Sequence, residues 1–183
     1  MTLEALLSPL VPALERAQVP YMLTGAVASS AHGMPRSTRD LDIVIAPTRA
    51  QLLALIEQLP DTLYYADERQ ALETFRNGSR FNVIDFATGW KVDFIMAEDS
   101  EYGRSAIARR RLIDIAGNAV YVASAEDVII AKLQWARLGG SDRQLQDVAG
   151  IVTTQGGNLD VAYIKHWVLE LRLEKQWEAV RAG

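Results

Sequence analysis

Residues 24–45 read Thr24-Gly25-Ala26-Val27-Ala28-Ser29-Ser30-Ala31-His32-Gly33-Met34-Pro35-Arg36-Ser37-Thr38-Arg39-Asp40-Leu41-Asp42-Ile43-Val44-Ile45, and the fold turns on this stretch. Leu41 to Ile45 is apolar, rich in β-branched residues and closed by Pro47, which predicts a strand. Asp40 and Asp42 stand two residues apart at its entrance, so both carboxylates leave the same face of the strand. Like charges held side by side destabilise a fold unless a cation sits between them. The pair therefore reads as a clamp for a divalent ion, which takes one or two carboxylates and fills its shell with water and substrate phosphates. With 12 Asp in 183 residues such a triplet arises about once by chance. Its neighbours decide its meaning.

Upstream, Tyr21 to Thr24 predicts a short buried strand that stops at Gly25, and Ala26 to Ala31 a small-residue helix ending at His32-Gly33. A strand-to-helix turn at Thr24-Gly25-Ala26 presents backbone N–H groups that can cradle phosphate oxygens. His32 reads as a packing or capping group rather than a base. Arg36 and Arg39 flank the carboxylates, either gripping phosphates or balancing local charge. Downstream, Asp93 lies inside the apolar strand 91–96 and needs a partner, because a lone buried carboxylate is costly. A metal, Lys91 on the same strand face, or solvent each satisfies that need. Asp85, in 83–86, is its rival.

The rest of the chain predicts a helix over 3–17 disturbed by Pro9 and Pro12, a helix over 48–59, a strand over 62–66 and a helix over 67–76. Strands 81–86 and 91–96 form one antiparallel hairpin, and 112–116 with 119–123 another, around Gly117-Asn118. Ser124 and Asp127 resemble a capping box that opens a helix over 126–138, followed by helices over 142–154 and 160–181. The expected class is α/β (α+β): a small mixed sheet flanked by helices in residues 1–123, then a helical subdomain over 124–183.

Composition narrows the chemistry. There are no Cys and two His, so any metal is held by oxygen or His, which points to Mg²⁺ or Mn²⁺. The net charge of −4 does not favour a surface that gathers nucleic acid as a whole. The local run Arg109 to Arg111 fits either an RNA backbone contact or a solvated helix end. Trp135, Trp167 and Trp177 fall in amphipathic stretches and are expected in the core or at a partner interface. The first 20 residues lack a basic start followed by an apolar block, and no apolar run approaches the roughly 20 residues of a membrane span. The expected location is the cytoplasm, with no membrane partner.

In this order, the turn Thr24-Gly25-Ala26, the pair Asp40-Leu41-Asp42 and the later Asp93 resemble the polymerase-β-type nucleotidyltransferase superfamily. The string from Thr24 to Ile45, with His32-Gly33, Arg36 and Thr38, is similar to the bacterial nucleotidyltransferases of the abortive-infection toxin type (AbiEii-like). Ala125 to Lys132, followed by Asp147-Val148, resembles the helical half of that group. The likeness runs over about residues 20–150. Where the superfamily carries a second Gly or Ser in its turn, this chain has Ala26, which lacks the hydroxyl but keeps the backbone donors.

By this resemblance Asp40, Asp42 and Asp93 form the catalytic and metal site. Thr24, Gly25, Ala26, Arg36, Thr38, Arg39 and Lys132 then form the nucleotide site. Lys132 neutralises phosphate or snorkels along its helix, and Asp147 positions Lys132 or sits on a helix surface. The implied activity is transfer of NMP from a nucleoside triphosphate to an acceptor hydroxyl on tRNA or other RNA, protein or a small molecule. Two-metal catalysis is the implied mechanism. A toxin-type enzyme with an antitoxin-like partner protein belongs to this reading. The alternative is a catalytically weak or inactive regulatory module that binds nucleotide or a partner.

Overall fold

The computed structural model describes residues 2–182 except Arg36, Asp61 and Gly140. The chain runs α1 (Leu3–Arg16), β1 (Tyr21–Thr24), α2 (Gly25–His32), β2 (Asp40–Ile45), α3 (Arg49–Glu57), β3 (Tyr64–Tyr65) and α4 (Glu68–Asn77). It continues through β4 (Arg80–Asp85), β5 (Lys91–Met96), α5 (Glu101–Arg109), β6 (Arg111–Ile115) and β7 (Asn118–Val122). The remainder is helical: α6 (Ala125–Gly139), α7 (Asp142–Gln155), a short 3₁₀ turn, α8 (Val161–Glu170) and α9 (Glu174–Ala182). The strands make one mixed sheet in the order β3-β4-β5-β2-β1-β7-β6.

The pairing of β2 decides the geometry. It lies antiparallel to β1, with Thr24 opposite Asp42, and parallel to β5, with Asp42 opposite Asp93 and Asp40 opposite Lys91. Leu41, Ile43 and Ile45 are fully buried on one face of β2. Burying such side chains contributes about 1.5–3 kcal/mol each, and a one-residue slip would turn all of them to the other face. The apolar pattern thus fixes the register that sets the two carboxylates opposite each other.

α1 is one continuous helix despite its prolines. Pro9, Pro12 and the residues four before them, Ala5 and Ser8, are exposed, so the carbonyls that lose a partner face water. The β6–β7 turn falls at Ala116-Gly117, one residue before the expected position. Both residues have positive φ (52° and 77°), and the register of Ile115 with Asn118 leaves a two-residue loop.

One element is added and one expectation is corrected. Residues 101–109, to which the sequence assigned no element, form α5, capped by Ser100 and burying Tyr102, Gly103 and Ala106. The single helix expected over 160–181 is two helices, α8 and α9, divided where Arg172 adopts φ 56°. No helix among the described residues is long and apolar enough to cross a membrane.

Candidate active site

Asp42 is the centre of the site. Its carboxylate abuts Gly25, the first residue of α2, which has φ +63°; a Cβ placed there would lie 2.7 Å from Asp42 Cγ. Only glycine combines that left-handed backbone with so close an approach. Thr24 is the N-cap of α2 but makes no side-chain capping bond. The strand-to-helix turn and the carboxylate pair are therefore one structural unit. Burial raises the Asp42 carboxyl above its ordinary value, and the nearby Asp93 and Asp40 charges push the same way.

Asp93 is buried, and its Oδ2 lies 2.9 Å from Lys91 Nζ. The hydrogen bond to Asp93 raises the Lys91 ammonium above its ordinary value. Of the sequence readings of Asp93, the pairing with Lys91 is found, and the strand register also sets Asp93 opposite Asp42. Asp85 belongs elsewhere. It accepts from Ala87 N and Thr88 N, both at 3.2 Å, and from the Thr88 hydroxyl, closing the β4–β5 turn.

Opposite the sheet stands α6. Asp127 N donates to Ser124 Oγ at 3.2 Å, the expected cap. Lys132 is 4% exposed; its ammonium meets Asp147 Oδ2 at 2.6 Å and Gln144 Oε1 at 3.1 Å. Asp147 is accordingly a positioning partner from α7 rather than a bare surface acid. The cleft between sheet and helix holds about 310 Å³ and takes in Thr24, Gly25, Ala26, Thr38, Asp40, Asp42, Asp93 and Lys132. Arg80, Lys91, Arg143 and Gln144 also line it.

Arg80 and Arg143 were not singled out by sequence reasoning; β4–β5 pairing and the α6–α7 contact carry them there, and no local motif marks either. Arg39 is exposed and lines a separate depression with Ser37, Thr88 and Trp90. Arg36 lies outside the described residues. His32 Nε2 is 2.8 Å from the Ala123 carbonyl, a packing contact between α2 and the end of β7.

Arg109 and Arg110 of the basic run are half-buried and Arg111 is exposed. Arg109 contacts Glu126 Oε2 at 3.3 Å and lies over the Tyr163 ring at 3.9 Å, and Arg110 lies over Tyr121. Trp167 and Trp177 are buried, whereas Trp135 is 49% exposed beside the cleft, with Arg80 over its ring.

Among the described residues no three acidic or His side chains stand close enough to hold a metal ion between them. The facing pair Asp42 and Asp93 nonetheless fits a divalent cation, which would relieve the burial and the neighbouring charges that disfavour an ionised Asp42. Mg²⁺ needs only one or two carboxylates when phosphates complete its shell.

The fold is similar to that of solved nucleotidyltransferases. The antibiotic-resistance factor ANT(2'')-Ia in solution superposes with a TM-score of 0.59 at 15% identity, covering 98% of this chain and 95% of that one. Its crystal structure with adenylyl-2''-tobramycin gives 0.57 at 16% identity, covering 100% and 98%. An antigenic nucleotidyltransferase-like protein from Paracoccidioides brasiliensis gives 0.52 at 16% identity, covering 98% and 92%. At these identities the likeness is one of fold. No family model and no curated protein matches the sequence.

Proposed function

We propose that the chain transfers a nucleoside monophosphate from a nucleoside triphosphate to an acceptor hydroxyl. The observation that carries this reading is the register that sets Asp42 opposite Asp93 while Asp42 also abuts the glycine opening α2. Asp42 and Asp93 would hold Mg²⁺ or Mn²⁺, with Asp40 contributing charge from the same strand face; the ion when bound neutralises triphosphate charge and polarises the reacting oxygens. The turn Thr24-Gly25-Ala26 offers backbone donors to the phosphates. Lys132, held in place by Asp147 and Gln144, faces the carboxylates with a positive charge, and Arg80 and Arg143 add to it.

In the reaction the acceptor oxygen bonds to the α-phosphorus as the α–β anhydride bond breaks. Pyrophosphate leaves with the electron pair, and the hydroxyl proton passes to Asp93 or to water. Asp93 takes this role once its carboxylate exchanges Lys91 for the acceptor. The presence of adenylyl-2''-tobramycin in the ANT(2'')-Ia structure makes a small molecule a natural acceptor class to test beside RNA, tRNA and protein. A toxin-type enzyme with an antitoxin-like partner falls within this proposal.

The second reading, a regulatory module that binds nucleotide without turnover, draws on one observation: Lys91 already neutralises Asp93. The deciding experiment incubates the protein and Asp42→Ala with Mg²⁺ or Mn²⁺, each α-labelled NTP, and RNA, protein or small-molecule acceptors. Label on an acceptor with wild type alone supports transfer. Saturable NTP binding with no label on any acceptor would favour the second reading.

A further inference from the structure

The cleft does not end at the carboxylates. Beyond Thr24, Ile95, Ala131 and Trp135, which it shares with the polar half, it opens into a second cavity of about 300 Å³. Strand periodicity explains the change. On the face of β2 that carries Asp40 and Asp42 the next residue is Val44, and Met22 lies opposite it on β1. On β5 the residue after Asp93 on that face is Ile95. The roof is the Ala131 and Leu138 side of α6, with Ala106 of α5 closing the wall. One continuous sheet face therefore passes from acid to hydrocarbon within a strand.

We propose that this apolar half is the acceptor site, and that the acceptor is a neutral or anionic molecule with an apolar ring body carrying a hydroxyl. The assignment rests on the transfer reading above. The cavity is at the lower end of the size range of small-molecule pockets, and apolar walls with few polar groups suit such a body. Its position places a hydroxyl at the shared boundary, beside Asp42 and Asp93.

A polycation fits poorly here. The cavity's acids are Glu98 and Asp127; Asp127 already accepts from Ser124 and Tyr163, and Glu98 is exposed. Arg137 lines the same cavity with a positive charge. By this chemistry the acceptor differs in kind from tobramycin, whose adenylylated form occurs in the ANT(2'')-Ia structure.

Calorimetric titration of the intact chain with 2-naphthol, a neutral ring-bearing alcohol, tests this, with tobramycin and ATP–Mg²⁺ as competitors. Val44→Phe fills the cavity from the sheet, and Leu138→Glu places a charge at its exposed rim without touching the core. Circular dichroism establishes that both variants are folded. The expected result is saturable 2-naphthol binding, weakened by about tenfold or more in each variant, and unaffected by either competitor.

Absence of saturable binding, or equal binding by folded variants, overturns the assignment. Displacement by ATP–Mg²⁺ would give the cavity to the nucleobase, and displacement by tobramycin would give it to a polycation; either result also overturns it. ATP–Mg²⁺ is titrated separately. If ATP fails to bind while 2-naphthol binds as expected, the transfer reading falls and the ligand class of the cavity stands.

Discussion

Replacing Gly25 by Ala tests whether the glycine turn and the carboxylate pair are one unit. Two costs are expected. Residue 25 has φ +63°, and a left-handed conformation costs a residue with a Cβ roughly 1–2 kcal/mol. The new methyl would also lie 2.7 Å from Asp42 Cγ, and forcing an atom into filled space costs typically about 1–3 kcal/mol. Together Gly25→Ala should lose about 2–5 kcal/mol.

The two costs separate in a double-mutant cycle. In an Asp42→Ala background the carboxylate is gone and only the milder 3.0 Å approach to the Cβ of residue 42 remains, so the loss should fall toward the backbone cost of about 1–2 kcal/mol. Urea unfolding followed by tryptophan fluorescence reads both values as shifts in midpoint at constant m. If Gly25→Ala loses the same stability in both backgrounds, contact with Asp42 is not the reason glycine occupies this position. If it loses nothing in either, the backbone argument fails as well.

Further outcomes follow from the same contacts. The raised Asp42 carboxyl keeps a proton in the folded chain that the unfolded chain has released. Its contribution to stability therefore falls as pH rises from about 3.8 through the higher folded value. Asp42→Asn should remove that slope and be the more stable protein at pH 7, as a series of urea midpoints would show. Mg²⁺ at about a hundredfold over its Kd should stabilise the wild type by about 2.7 kcal/mol and leave Asp42→Ala unchanged in a thermal melt. Asp147→Ala strands the buried Lys132 ammonium with Gln144 as its remaining named partner, at a cost of about 3–5 kcal/mol in chemical denaturation. Tyr163→Phe removes the 2.8 Å bond to buried Asp127 and should cost about 1.5–3 kcal/mol by the same assay.

What could be read from the sequence followed local periodicity. Strand β2, the hairpin of β4 and β5, the Ser124–Asp127 cap and the turn at Gly25 are each written in adjacent residues, and each is found in place. Helix α5 was hidden because its buried residues are few and small, Gly103 and Ala106 beside a lone Tyr102, within charged surroundings. The break at Arg172 carries neither Gly nor Pro to announce it. The partnership of Lys132 with Asp147 depends on α6 meeting α7 side by side, a matter of tertiary packing that spacing alone cannot weigh. Arg80 and Arg143 reached the cleft by the same route. The meeting of Asp42 and Asp93 with Thr24, Gly25, Ala26, Thr38 and Lys132 in one cleft was legible, while the arrival of Arg80 and Arg143 was not.

The parallel pairing of β2 with β5 has a kinetic side. Its two strands are separated by α3, β3, α4 and β4, so their contact closes a long loop and belongs to the slow class of folding events. Until that contact forms, Asp42 and Asp93 are independent groups on a flexible chain. Shifting β5 by one residue would bring Val92 or Phe94 opposite Asp42 and turn Asp93 to the opposite face. During refolding, the competence of the candidate site should therefore appear late and all at once, reporting the arrival of native strand order.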